Sequence, residues 1–287
     1  MKVRLISLLL ATLLGATVPA AAEPARVARS ATVSPTNALG LAEQITLAGQ
    51  LRMQSQRLAK LWLQGGLGIE AGTANARLAR GVVQFDTALA VLQKAGGDAP
   101  TLRSLQRTAA LWEEYRQTLA MPYGPGALVR IGYLAEELTL ATGRLAMQIE
   151  GSGDSATGRL LDLSLRQNML AQRLARLYLM AYAGDRSSGR LVDIGQTRRE
   201  FSTALEELSA ARENTPASRE ALVLARTQWM FFATALDELS RGNDGRPQHV
   251  ATTSERLLEV LDAVSSQYAQ DYGASLLAAA PSITRRN

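Results

Sequence analysis

One block of this chain repeats at a fixed distance. Gln56-Arg57-Leu58-Ala59-Lys60-Leu61-Trp62-Leu63 returns as Gln172-Arg173-Leu174-Ala175-Arg176-Leu177-Tyr178-Leu179, an offset of 116 residues. At the same offset Phe85-Asp86-Thr87-Ala88-Leu89 returns as Phe201-Ser202-Thr203-Ala204-Leu205. Two separated matches in one register mark an internal duplication. Further along the register drifts, with Trp112 and Trp229 117 residues apart, so a loop differs in length. A chain of 287 residues built this way divides into two units of ordinary domain size, each with a core of the same design.

Each unit reads as helical. Hydrophobic residues are 47% of the chain but aromatic residues only 5%. Ala and Leu, strong helix formers, dominate. Runs of strand-favouring Val, Ile, Thr and Tyr are missing. Ser34-Pro35 has the form of a helix start. An amphipathic pattern follows from Thr36 to Gln64, stopped by Gly65-Gly66. Further patterns span Ala74–Lys94, Thr101–Ala120 and Ala127–Glu150, and Gly151-Ser152-Gly153 forms a joint. Beyond it come Ser155–Tyr182, Gly189–Arg212, Ser218–Arg241 and His249–Tyr272. The fold class is therefore all-α: two tandem antiparallel four-helix bundles, residues 35–151 and 152–275, placed in series as an elongated rod, with a frayed tail over 276–287.

Residues 1–22 have the form of a secretory signal, with Lys2 and Arg4, an apolar run from Leu5 to Val18, and Ala20-Ala21-Ala22 before Glu23. A flexible leader over 23–34 follows. The expected location is the periplasm, the alternative being an uncleaved membrane anchor. There is no cysteine, which excludes thiolate nucleophiles, Cys-ligated metals and haem attachment. The single histidine, His249, reads as a surface residue and supports neither a metal site nor a Ser-His-Asp triad. No catalytic residue, metal or cofactor is assigned. Net charge is +5, but Arg and Glu alternate without a basic block, so nucleic acid is not an expected partner. Glu113-Glu114, Glu136-Glu137 and Glu206-Glu207 read as solvated helix faces, and Trp62, Trp112 and Trp229 as core or bundle-edge residues.

One residue breaks the pattern. On a helical wheel, Thr46, Gln50, Arg57, Lys60 and Gln64 gather on a polar side of the first helix. Arg52 falls on the apolar side instead, flanked by Ile45, Ala48, Ala59 and Leu63. A buried guanidinium needs an anion, supplied either by a carboxylate from another helix or by a ligand. Small neighbours, Ala48, Ser55 and Ala59, leave room beside it, and a guanidinium fork suits a planar oxyanion. The second copy has Asn168 at the equivalent position, with Arg166, Arg173 and Arg176 on the polar side of its helix.

The stretch Ala48-Gly49-Gln50-Leu51-Arg52-Met53-Gln54-Ser55-Gln56-Arg57-Leu58 resembles the first-helix motif of the periplasmic sensor domain in nitrate/nitrite-responsive histidine kinases of the NarX type. In the second copy, Arg166-Gln167-Asn168-Met169-Leu170-Ala171-Gln172-Arg173-Leu174-Ala175 resembles the related N-terminal domain of PilJ-type chemotaxis transducers. The resemblance implies that Arg52 contacts an anion, that Gly49 and Ser55 serve close helix approach, and that Asn168 occupies the equivalent place in the second copy. It implies a sensory module for a small oxyanion, nitrate or nitrite first. The flanking membrane spans and transmitter domains of those kinases have no counterpart here, so the signal would pass to a membrane receptor, kinase or transporter. A homodimer would restore a two-arginine clamp. The alternative is a ligand-free helical adaptor, docking on a membrane receptor or envelope complex, in which Arg52 pairs with an internal carboxylate.

Overall fold

Helices account for both copies in a computed structural model, which describes residues 39–151, 153, 155–240 and 246–279. The signal, the leader, the Ser34-Pro35 helix start and most of the tail lie outside the described residues. The first copy contains α1 (Leu41–Gly66), α2 (Ala71–Ala95), α3 (Ala99–Leu119) and α4 (Pro125–Gly151). The second contains α5 (Ala156–Tyr182), α6 (Ser188–Ala210), α7 (Pro216–Ser240) and α8 (Pro247–Ala279). There is no strand among the described residues.

Helix ends follow local chemistry, but α1 starts later than the pattern from Thr36 suggests: Gly40 is extended and the helix begins at Leu41. α1 runs through Gly65 and ends on Gly66, where side chains would collide with Asn75 and Tyr123. The turn that ends the helix carries Gly68 at φ 73°, a left-handed conformation that glycine adopts without steric cost. At the other end of the chain, α8 continues past Tyr272, which is fully buried, to Ala279. Gly158 lets the Tyr272 ring approach, since a Cβ there would sit 3.2 Å from it. Between the copies, α4 ends at Gly151 and α5 starts afresh on Ser155, whose side chain accepts the Gly158 N–H at 2.9 Å.

Within each copy the first helix packs on the second and fourth, and the third on the fourth, giving the two expected four-helix bundles. Their join differs from the serial arrangement. The bundles meet along the lengths of α1 and α5, the most extensive helix pair in the molecule. These two helices run parallel: Gly49 faces Leu165, while Gln56 further along α1 meets Arg176 further along α5. α8 also touches α1, and α4 touches α5, so the copies are related by an approximate twofold. The reason lies in α1 itself. From Leu51 to Gln64 every residue but Arg57 is buried, so the side that carries Lys60 and Gln64 faces protein rather than water.

Close approach of α1 and α5 depends on Gly49. A Cβ there would lie 2.7 Å from both Cβ and Cδ1 of Leu165. Gly49→Ala is expected to cost roughly 1–3 kcal/mol through overpacking. Gly273→Ala in α8, where nothing lies within 4 Å of the added atom, should instead gain about 0.5–1 kcal/mol from helix propensity. Urea unfolding midpoints of the two variants should move in opposite directions. A Gly49→Ala protein as stable as the parent would show that the two helices do not need this contact.

Candidate functional site

Arg52 is where the wheel places it, 5% exposed on α1. Its anion comes from the second copy. Nη2 donates to Asp162 Oδ1 at 2.8 Å and to the Asp162 backbone carbonyl at 3.1 Å. Asp162 stands on α5 at the position that Thr46 occupies on α1. The Nε of Arg52 is buried with no acceptor. Asn168 is tied elsewhere: its Nδ2 donates to Asp262 Oδ1 on α8 at 2.6 Å, and its own Oδ1 has no donor. The two equivalent positions are thus committed to different carboxylates. Ser55 is fully buried, donating its hydroxyl to Leu51 O at 2.9 Å while its carbonyl accepts from Tyr115 Oη at 2.8 Å. Gly49 supplies the α1–α5 contact described above.

Sequence reasoning missed two buried charge clusters. Lys60 is 0% exposed and its ammonium donates to Glu255 of α8. Arg57 grips the same carboxylate in a fork, Nε to Oε1 at 3.1 Å and Nη2 to Oε2 at 2.6 Å, and Arg77 of α2 approaches to 3.6 Å. The twofold repeats the device. Arg176, 1% exposed, pairs with Glu136 of α4 and donates from Nε to Gln56 Oε1 at 2.6 Å. Arg173 reaches Glu136 at 3.1 Å and Thr197 Oγ1 at 2.7 Å. Gln56 donates to Ala135 O at 3.3 Å, and Gln172 donates to Ser254 O at 3.1 Å, the same bond made from the opposite side. Each copy's first helix therefore delivers two cations, Arg57 and Lys60 or Arg173 and Arg176, to the fourth helix of the other copy. Glu136, 37% exposed, thus keeps a solvated edge while pairing with both arginines, and the polar side of α5 that carries Arg176 is covered by protein. The available signal was that Lys60 and Arg176 fall at one position of the repeated block.

The electrostatics follow from burial. Burial pulls the Lys60 ammonium down to about 8, outweighing the neighbouring Glu255 charge that favours protonation. Burial pushes the Glu255 carboxyl up, but Lys60 and Arg57 together outweigh it and hold the group well below the usual carboxylate range.

Beside the Glu255 cluster, α1, α2 and α8 enclose a cleft of about 550 Å³. Its lining includes Arg57, Arg77 and Glu255, the apolar Leu47, Val83 and Phe85, and the carboxylates Glu259 and Asp262. No group of His, Asp or Glu suited to a metal ion occurs among the described residues. No described helix is long and apolar enough to cross a membrane.

Residues 36–128 match the family described as the type IV pili methyl-accepting chemotaxis transducer N-terminal domain, PilJ. The match covers α1 to α3 and the start of α4; the second copy is not matched. No curated protein and no solved structure matches the chain.

Proposed function

We propose that this chain is a periplasmic sensory module in which two copies of one transducer-type bundle are fused into a pseudo-dimer that reports to a partner protein. The observation that carries this reading is the parallel α1–α5 pair, seated in a chain whose first copy matches a transducer sensor family. Residues 156–279 then form a second, diverged copy of that family. A few discrete ion pairs join the copies, Arg52–Asp162, Lys60–Glu255 and Arg176–Glu136. A small slide or rotation of one first helix against the other would break or re-form them, a two-state change that a receptor, kinase or transporter could read. No chemistry is assigned to the module itself.

For the ligand, the proposal is a small oxyanion, nitrate or nitrite first, supported by the Leu-Arg-Met-Gln-Ser motif and the burial of Arg52. Such an anion must take the place of the Asp162 carboxylate. The ion pair between Arg52 and Asp162 favours a second reading, the ligand-free adaptor. Calorimetric titration of residues 23–287 with nitrate and nitrite separates the two, with sulfate and chloride as controls. On the sensor reading, binding is saturable, lost in Arg52→Ala, and tightened by about tenfold or more in Asp162→Asn, where the competing anion is gone. Absence of binding in all three proteins, with Arg52→Ala merely less stable, establishes the adaptor.

A further inference from the structure

The outward face of α7 is apolar. Val223, Leu224, Met230 and Phe231 are 62%, 55%, 62% and 56% exposed. They share one side of the helix over about 12 Å of its length. Thr227 and Thr234 stand on the same side, and both hydroxyls donate to their own helix, to Val223 O at 3.1 Å and to Met230 O at 2.9 Å. Between Glu220 and Asp237 the helix has a single charged residue, Arg226, set on one flank. Exposed apolar residues are ordinary when scattered; a contiguous stripe marks an interaction surface.

The duplication provides an internal control. Trp112 stacks on Phe85 and meets Tyr115 edge-on, and Trp229 does the same with Phe201 and Phe232. α3 and α7 are therefore equivalent in the register that relates Trp112 to Trp229. In that register the places of Val223, Leu224, Met230 and Phe231 hold Gln106, Arg107, Glu113 and Glu114. Glu113 pairs with Arg116, Glu114 with Arg130, and Arg107 with Glu137. One copy thus covers this face with ion pairs, and the other bares it. A stripe on α4 is also exposed, Val129, Tyr133, Leu140 and Met147, but Glu136 and Arg144 interrupt it.

The α7 stripe is symmetrical about Thr227. Val223 and Leu224 stand four and three residues before it, Phe231 and Met230 four and three residues after it. A surface of this kind is complementary to itself under a twofold. A second α7 laid antiparallel on the first sets Val223 against Phe231, Leu224 against Met230, and Thr227 against its own copy. Charge agrees with the pairing. Arg219 and Asp237 lie on one flank of the stripe, and the twofold brings each arginine alongside the other helix's aspartate, offset by about 3 Å along the axis. Asp237 pairs with Arg198 and keeps a third of its side chain exposed to take a second cation. The four apolar side chains present on the order of 400 Å², about half of the ~800 Å² that each partner of a standard interface buries.

We propose that α7 is the seam of a homodimer, in which two copies of this chain pair antiparallel along their α7 helices about a twofold passing through Thr227. The interface is separate from the α1–α5 pair and owes nothing to Arg52.

The test is sedimentation equilibrium of residues 23–287 over a range of concentrations, with three variants. Met230→Glu/Phe231→Glu imports the side chains that α3 carries at the same places. Thr227→Cys puts a thiol on the twofold of a chain that has no cysteine, and Ala110→Cys puts one at the equivalent place on α3. A dimer with a micromolar dissociation constant is expected, weakened by about a hundredfold or more in the double glutamate variant, whose far-ultraviolet circular dichroism and thermal midpoint in dilute solution stay those of the parent. Arg52→Ala should dimerise as the parent does. Mild oxidation should link Thr227→Cys, and not Ala110→Cys, into a disulfide dimer. A dimer indifferent to the two glutamates, or equal cross-linking of both cysteine variants, would overturn the proposal. So would a chain still monomeric at roughly 100 μM, including one whose stripe instead takes a lipid vesicle or a different protein.

Discussion

Replacing Glu255 by Gln is expected to destabilise the protein by roughly 3–5 kcal/mol, because it leaves a fully buried ammonium without its counter-charge. Lys60 has no exposed surface through which to reach water, and Arg57 and Arg77 lean on the same carboxylate. Adding Lys60→Met to Glu255→Gln should recover a large part of the loss, since it removes the stranded charge and keeps an unbranched side chain of similar length. Guanidinium unfolding followed by circular dichroism measures both. The pH dependence has a definite sign. The folded-state pKa of Glu255 lies below its unfolded value near 4.5. Its contribution is therefore complete above that value and is lost as pH falls through the folded one. The stability gap between the parent and Glu255→Gln should narrow as pH drops below about 4.5. A gap that is small at neutral pH, or that does not change on acidification, would mean that Lys60 finds another way to satisfy its charge.

Much of this architecture can be read from sequence, and the failures share one cause. The repeat at 116 residues specifies two like units, and the apolar spacing specifies helices. Arg52 is legible as a buried cation because a wheel shows it among Ile45, Ala48, Ala59 and Leu63. Its partner is not legible: Asp162 stands where the first copy has Thr46, so the repeat itself gives no hint of a carboxylate there. Lys60 and Arg176 fall on the polar sides of their helices, and their burial is illegible for a related reason. A wheel sorts polar from apolar residues, but it cannot tell a polar face bathed in water from one covered by the other copy. The same blindness suggested a rod.

The first copy alone, residues 39–151, is expected to form a homodimer. Cut from the second copy, α1 would lose the partners of Gly49, Arg52, Gln56 and Lys60, which are Leu165, Asp162, Arg176 and Glu255. A second α1 in the place of α5 meets most of these needs. By the approximate twofold, Lys60 takes the position of Arg176 and faces the partner's Glu136, and Gln56 takes that of Gln172. One contact cannot be replaced. Thr46 would stand where Asp162 stands, so each Arg52 would lose its carboxylate. Two guanidinium groups without anions would then lie in one interface, and a small oxyanion would relieve both. Sedimentation analysis should therefore show a dimer that nitrate or sulfate tightens, and an Arg52→Ala dimer indifferent to either. A folded monomer would break the equivalence of α1 and α5 that the pseudo-dimer rests on. A dimer that ignores anions would show that Thr46 and its surroundings satisfy Arg52 without help. The anion-tightened dimer would mean that fusing the copies, with Asp162 on one side and Asn168 on the other, supplied from within the chain the charge that a pair of separate bundles must take from solution.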